Sequence, residues 1–318
     1  MPRANGNDLA ELFGYAPDDD SDAARKQWKS QKCPFTEDTC IKHSHPQRDG
    51  SMVVYGTCSV LNKSSRTGTP EEVIICPNRL YAEKYAVVKA CFFDAHGSDK
   101  IQIYSAKEFS KRKKRNTLPA ECGVLLGKFS NGEIGLTRLG DKTLSLALDW
   151  VVVRLQRGTP DLAVPCEVQS IDTTGNYHAA WEAYSSEADE IPDLKHGMNW
   201  ANVWKRLIPQ LILKGVIASA SALCHRGGYF VVPARVYREF GKWLGNVPTV
   251  TAPAHGVLTV MTYALGKPVP RGSIRSIDHQ ETVRMNVTDF AKAFGSGQEV
   301  KMLGPVLDTK IRAIIDGL

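Results

Sequence analysis

Two short apolar runs hold the residues best suited to chemistry. In Leu144-Ser145-Leu146-Ala147-Leu148-Asp149-Trp150, Asp149 lies inside an apolar stretch that continues through Val151, Val152 and Val153. In Ala163-Val164-Pro165-Cys166-Glu167-Val168-Gln169-Ser170, Glu167 and Gln169 are two residues apart, so a strand turns both to one face. The turn-rich Gln156-Arg157-Gly158-Thr159-Pro160-Asp161 joins the runs. An antiparallel pair built this way brings Asp149 beside Glu167. Two converging carboxylates are what a hard divalent cation such as Mg²⁺ takes. The plainer alternative is that Asp149 ends a strand and Glu167 faces solvent.

A metal-dependent phosphodiesterase often presents an acid on one strand and acid-x-lysine on the next. Here Glu167-Val168-Gln169 puts glutamine where the lysine would stand. Glutamine is neither a base nor a cation, but its carbonyl can ligate a metal and its amide can orient a water. Glu133, just after Asn131-Gly132, is a candidate third carboxylate; the alternative is a solvent-facing strand residue. Cys166, next to Glu167, points to the opposite strand face and is not read as a nucleophile.

A second constellation is Cys33, Cys40, Cys58 and Cys76, separated by six, seventeen and seventeen residues. This is not the paired CxxC spacing of a zinc ribbon. Four thiolates suit zinc or a single iron, and His43 and His45 are nearby alternative ligands. The other reading is four buried thiols. Residues 31–80 are rich in turn residues and show only short strands, at Met52–Val54, Ser59–Leu61 and Val73–Ile75, so the segment needs a staple. Cys91, Cys122, Cys166 and Cys224 are scattered and read as structural.

The elements that position these residues follow from periodicity. Asn7–Phe13 and Ala23–Ser30 read as short helices flanking an Asp-rich turn. Tyr81–Phe93 has apolar residues at helical spacing, and Lys100–Tyr104 reads as a strand. The run Lys111-Arg112-Lys113-Lys114-Arg115 is either a solvated loop or helix face, or a contact to phosphates, which cations neutralise without reading sequence. Gly123–Phe129, Ile134–Arg138, Leu144–Leu155 and Leu162–Ile171 form a strand meander punctuated by Asn131-Gly132 and Gly140-Asp141. His178–Ala188 is a helix. Asn199–Leu223 is a long one that Pro209 should kink or split. Tyr229–Val232 and Val257–Tyr263 read as strands and Ala234–Leu244 as a helix.

The 318-residue chain is 42% hydrophobic and 23% charged, as in an ordinary globular protein. No apolar run reaches the length of a membrane span. The first 22 residues carry six acids and one base, unlike a signal peptide, so a reducing cytoplasm is expected and disulfides are not. A net charge of +6 permits nucleic-acid binding without establishing it.

Several motifs together resemble one family. Cys33-Pro34-Phe35, Thr39-Cys40-Ile41-Lys42, Gly56-Thr57-Cys58-Ser59-Val60 and Ile75-Cys76-Pro77-Asn78-Arg79, continuing into Leu80-Tyr81-Ala82, are similar to the amino-terminal module of NotI/EagI-type restriction endonucleases. Leu148-Asp149-Trp150, Glu167-Val168-Gln169-Ser170 with Asp172, Gly175 and Tyr177, Asn202-Val203-Trp204-Lys205-Arg206 with Gln210, and Val232-Pro233 extend the resemblance downstream. It implies an α/β (α+β) fold with a PD-(D/E)XK core around a mixed central sheet. The division would be a helical segment (1–30), a four-cysteine module (31–90) and a nuclease core (91–318). It implies a homodimeric bacterial, cytoplasmic type II restriction endonuclease, paired functionally with a DNA methyltransferase, that cuts duplex DNA with Mg²⁺ at a GC-rich palindrome. CGGCCG is the sequence the resemblance favours. Asp149 and Glu167 would hold the metal, Gln169 would replace lysine and Glu133 would be auxiliary. Cys33, Cys40, Cys58 and Cys76 would hold one structural iron. Stabilising the phosphate would fall to the metal, and to Lys128 or a basic residue elsewhere. Arg226, Arg235 and Arg238 are candidate base readers. The competing expectation is a metal-stapled DNA-binding protein with an inactive nuclease-like core; a third is a nuclease acting on damaged or structured DNA.

Overall fold

A computed structural model describes residues 8–44, 50, 52–63, 68–130, 132–136, 146–192, 194, 197–294, 296, 305–306 and 309–312. The fold is mixed α/β around a seven-stranded mixed sheet. Its strands are numbered here with those of two smaller sheets. β1 (Asp8–Leu12), β2 (Thr57–Lys63) and β3 (Pro70–Ile74) form an antiparallel three-stranded sheet. β4 (Ile103–Ser105), β5 (Glu121–Gly127), β8 (Trp150–Gln156), β9 (Thr159–Val168), β10 (Gly228–Pro233), β11 (Val257–Leu265) and β12 (Ile277–Asn286) form the large one, in the order β12-β11-β10-β9-β8-β5-β4. β6 (Ile134–Gly135) pairs with β7 (Ala147–Leu148).

β5, β8 and β9 run antiparallel, with Trp150 opposite Cys166, but β5 pairs directly with β8, and the strand expected between them, Ile134–Arg138, is described only as β6, in the separate small sheet. β10 then returns parallel to β9, with Phe230 opposite Glu167. A parallel return needs a crossover. It is supplied by α4 (His178–Ser185), α5 (Trp200–Asn202), a π-helical turn at Val203–Leu207 and α6 (Ile208–Ser219). Pro209 therefore sits in the first turn of α6, where its missing N–H costs little, and the π turn absorbs the expected kink.

The remaining helices are α1 (Asp22–Ser30), α2 (Ala82–His96), α3 (Ala106–Lys114), α7 (Ala234–Gly241) and α8 (Val287–Ala293). Two cores flank the sheet. One includes Cys91, Trp150, Cys166, Val168 and Met261; the other includes Phe230, Leu211, Ile208, Val260 and Phe290. No helix among the described residues is long and apolar enough to cross a membrane.

Three expectations are corrected. The helix expected at Asn7–Phe13 is β1, buried along its length. Its acids are paired inside the fold: Glu11 with Arg79, and Asp8 with the Tyr184 hydroxyl at 2.9 Å. Tertiary pairing therefore overrides a five-residue pattern that suits either period. The amino-terminal segment thus joins the sheet of the cysteine region. The single strand expected at Leu144–Leu155 is divided at Asp149 between β7 and β8, which belong to different sheets; Leu144 and Ser145 lie outside the described residues. In the expected strand at Met52–Val54, only Val54 bridges, to His43.

Candidate active site

Asp149 and Glu167 meet where the meander predicts. Asp149 occupies the joint between β7 and β8, and Glu167 is the penultimate residue of β9. The Asp149 N–H donates to Glu167 Oε1 at 3.2 Å, and the Val168 N–H donates to Asp149 Oδ2 at 3.2 Å. Each acid is thus held by the other's strand. Gly127 makes this joint possible. Its φ is +134°, and a Cβ there would stand 2.2 Å from the Asp149 carbonyl oxygen. The neighbouring Lys128 N–H donates to that same oxygen at 3.0 Å.

The strand alternation holds. Cys166 points into the core opposite the acids, where its thiol lies 3.6 Å from Cys91 Sγ. Glu167 and Gln169 line a cleft of about 270 Å³ on the other face. Its far wall is the crossover helix, through Asn202, Arg206, Gln210 and Lys214 at intervals of four.

Lys214 is the residue of the cleft that sequence reasoning misses. Its Nζ donates to Glu167 Oε2 at 2.6 Å, with side chains only 10% and 8% exposed. Burial, and then the charge of Asp149, push the Glu167 carboxyl up to about 7, with Lys214 pulling the other way. One signal is present in the sequence: Lys214 is the single charge inside Leu211-Ile212-Leu213-Lys214-Gly215-Val216-Ile217. A charge that must be buried on an apolar helix calls for a partner.

Glu133 does not join the pair. Its ion-pair partner is Lys128 at 4.0 Å, and both are part-exposed. Arg235 and Arg238 pair with Glu71, and Arg226 bonds the Pro253 carbonyl, so none of the three lines the cleft. The basic run is helical. α3 carries Lys111, Arg112, Lys113 and Lys114, with Arg115 as its C-cap. Arg112 lies over the Tyr104 ring at 4.7 Å, and the other four are exposed. The helix leaves β4 at the same end of the sheet as the acids. Its Ala106 N–H bonds Ser130 Oγ at 3.1 Å, in the turn that follows Lys128.

Cys33, Cys40, Cys58 and Cys76 are all buried and unpaired. Burial pushes the Cys40 thiol up to about 12, with Cys76 and Cys33 adding to the shift. Burial also raises Cys58, which senses Cys76 and Cys40 as well. The four thiols thus share one neighbourhood, and Cys33 Sγ accepts from Asn78 Nδ2 at 3.8 Å. The donor set suits a thiophilic ion. The side chains do not close around one point: among the described residues, no three His, Cys, Asp or Glu side chains converge enough to hold a metal, at the thiols or at the acids. His43 is exposed and bonds the Ser44 carbonyl, and His45 lies outside the described residues.

The module touches the cleft rim directly. Ser170 Oγ donates to the Ile74 carbonyl at 2.6 Å, and Lys42, two residues after Cys40, pairs with Asp172 at 3.5 Å. Compared with known protein families and with curated proteins, the chain matches none.

Proposed function

We propose that this protein is a type II restriction endonuclease, hydrolysing phosphodiester bonds of duplex DNA with Mg²⁺ at a GC-rich palindrome such as CGGCCG. The observation that carries the reading is the interlock of Asp149 and Glu167 across β8 and β9, beside a polar cleft. Its setting supports it. The order α2, β5, β8, β9, crossover helix, β10 gives a helix, an antiparallel meander and a parallel return, which is the arrangement expected of a PD-(D/E)XK core.

Asp149 and Glu167 would hold the Mg²⁺, as two acids held together at the start of β8 and the end of β9 suit a hard cation. That ion, when bound, supplies charge neutralisation at the phosphate and activates water. Gln169, on the same strand face as Glu167, orients a water through its amide. The exposed cations of α3 contact the phosphate backbone beyond the cleft. Glu133 stays a candidate auxiliary acid only through its place in the ladder beside Asp149. Cys33, Cys40, Cys58 and Cys76 would hold one iron, or zinc, in a structural role. A palindrome mirrors a two-fold axis, so the protein works as a homodimer, alongside a methyltransferase in a bacterial cytoplasm.

Incubation of the full-length protein with plasmid or phage DNA and Mg²⁺ tests the reading. Discrete fragments are expected, and sequencing their ends gives the site and the cut position. Asp149→Ala should bind the same DNA without cutting it. Retarded but intact DNA with the wild-type protein would instead mark a binding protein with an inactive core, and degradation without discrete fragments a nuclease of structured or damaged DNA.

A further inference from the structure

The nuclease pattern leaves a gap that the fold fills from elsewhere. Gln169 stands where acid-x-lysine would place a cation, while the cleft it lines contains Lys214 from the opposite wall. Resting on the nuclease reading above, we propose that Lys214 is the catalytic cation of this site, reaching from helix α6 to the scissile phosphate in place of a strand lysine.

The placement of Lys214 is set by packing rather than by a flexible surface chain. On α6, Leu211 and Ala218 are buried three residues before and four after it, so Lys214 shares their inward stripe. Gly215 beside it lets the helix lie against α8, since a Cβ there would come within 2.9 Å of Val287. The π turn and Pro209 fix where α6 begins. These constraints deliver the ammonium to Glu167 Oε2 at 2.6 Å, in the wall of the cleft. A cation buried on an apolar helix is costly to keep without a partner.

In the reaction, a water oxygen forms a bond to phosphorus and loses its proton to solvent. The bond from phosphorus to the leaving sugar oxygen breaks, its electron pair stays on that oxygen, and solvent protonates it. One diester and one water give a phosphomonoester and an alcohol. Lys214 donates hydrogen bonds to the non-bridging oxygens, where negative charge accumulates in the transition state. It takes no part in the proton balance.

The test uses the full-length protein and a duplex oligonucleotide containing the mapped site, under single-turnover conditions with Mg²⁺. Three variants are compared: Lys214→Met, Lys214→Arg, and Lys214→Met combined with Gln169→Lys. Lys214→Met should slow cleavage on the order of 10²–10³-fold, as loss of one preorganised charge stabiliser does, with duplex affinity in Ca²⁺ retained. Lys214→Arg, and the lysine moved to position 169, should each recover about tenfold or more of that loss. A lysine needed only for folding would not be replaced by one on the strand, and thermal melting of each variant reports that role separately. Cleavage by Lys214→Met at the wild-type rate overturns the proposal. So does a loss that neither Lys214→Arg nor the relocated lysine repairs. A wild-type protein that leaves DNA intact in Mg²⁺ overturns the nuclease reading itself, an outcome visible before any variant is made.

Discussion

At the acid cleft, Lys214 meets the Glu167 carboxylate at 2.6 Å and the Asp149 backbone N–H bonds the same carboxylate; in the neighbouring module, four thiols share one neighbourhood without closing on a common point. The cleft residues ride on regular elements. Glu167 lies on β9 of the seven-stranded sheet, Asp149 at the joint that leads into β8, and Lys214 on a helix seated by apolar packing. Of these four cysteines, only Cys58 lies within a strand; Cys76 follows β3 by two residues, Cys33 lies in the loop closed by the Lys32–Thr39 bridge and Cys40 just after it. Backbone ladders fix side-chain positions in the first region. Turn bonds, such as Cys33 N–H to the Asp38 carbonyl at 2.7 Å, do so in the second. The cleft is therefore preorganised by the fold, and the module depends more on its own side chains.

That contrast can be broken most forcefully at Cys58. The Cys58 thiol is buried and donates to the Gly56 carbonyl at 3.4 Å. Cys58→Ser is expected to give insoluble or unfolded protein, because four-thiolate sites contribute folding free energy. Glu167→Gln should fold normally and abolish cleavage. Soluble yield and far-ultraviolet circular dichroism separate the two; a well-folded Cys58→Ser with wild-type melting would erase the distinction. Elemental analysis should find one iron or zinc per chain, and purified soluble protein without either would remove the metal from the module.

A smaller effect is expected where the regions join. Glu11 on β1 and Arg79 after β3 form an ion pair with both side chains fully buried. Arg79 also reaches the Arg275 carbonyl at 2.7 Å, tying the three-stranded sheet to the segment before β12. Arg79→Ala leaves the Glu11 charge buried without its partner and should cost about 3–5 kcal/mol in chemical denaturation. Replacing both with apolar residues of similar volume should recover most of that. A single substitution that costs nothing would show that the seam carries no stability.

The cations of α3 should matter to binding only. Reversing Lys111, Lys113 and Lys114 to Glu removes exposed positive charge while leaving Arg112 on Tyr104. Affinity for duplex DNA should fall, and the slope of log K against log salt should flatten by about 0.9 for each phosphate that the helix no longer neutralises. Single-turnover cleavage at saturating protein should stay near wild type. An unchanged salt slope would return the run to a solvated helix face.

How far the sequence shows these features depends on how local each one is. The β8–β9 hairpin is legible because the Gly-containing turn at Arg157-Gly158 joins two β-like runs, and the two-residue period places Glu167 with Gln169 and against Cys166, whereas β5 pairs with β8 rather than with the run after Asn131-Gly132. The partition of the strand at Asp149 is not, since apolar residues flank the joint on both sides and Gly127, whose φ permits it, belongs to another strand. Lys214 lies 47 residues from its partner. No spacing rule joins a strand acid to a helix that first has to cross over the sheet. β1 reads as a helix because its strand partner β2 and the partners of its acids, Arg79 and Tyr184, all lie far along the chain. The hairpin signal places Glu133 near Asp149, but Lys128 competes for its carboxylate.

The gentlest probe asks whether the two regions melt together. Asp19 accepts from the Ser21 N–H at 3.0 Å and the Gly272 N–H at 2.7 Å, and the neighbouring Asp20 pairs with Arg271 at 2.6 Å. This pins the amino-terminal segment to the β11–β12 connection. Burial would raise the Asp19 carboxyl, but the bonds from Ser21 and Gly272, with the charge of Arg271, outweigh it and hold the group below the usual carboxylate range. A lowered folded-state pKa means that the contribution is present above the ordinary carboxylate pKa and is lost as pH falls through the folded value. Asp19→Asn should therefore lower stability by about 1–2 kcal/mol at neutral pH and flatten its decline in acid. If the melt stays a single transition that shifts as a whole, the segment and the sheet are one cooperative unit. A new, earlier transition in the variant would mean that the module can open while the cleft stays folded, with the Asp19 contact being what couples them.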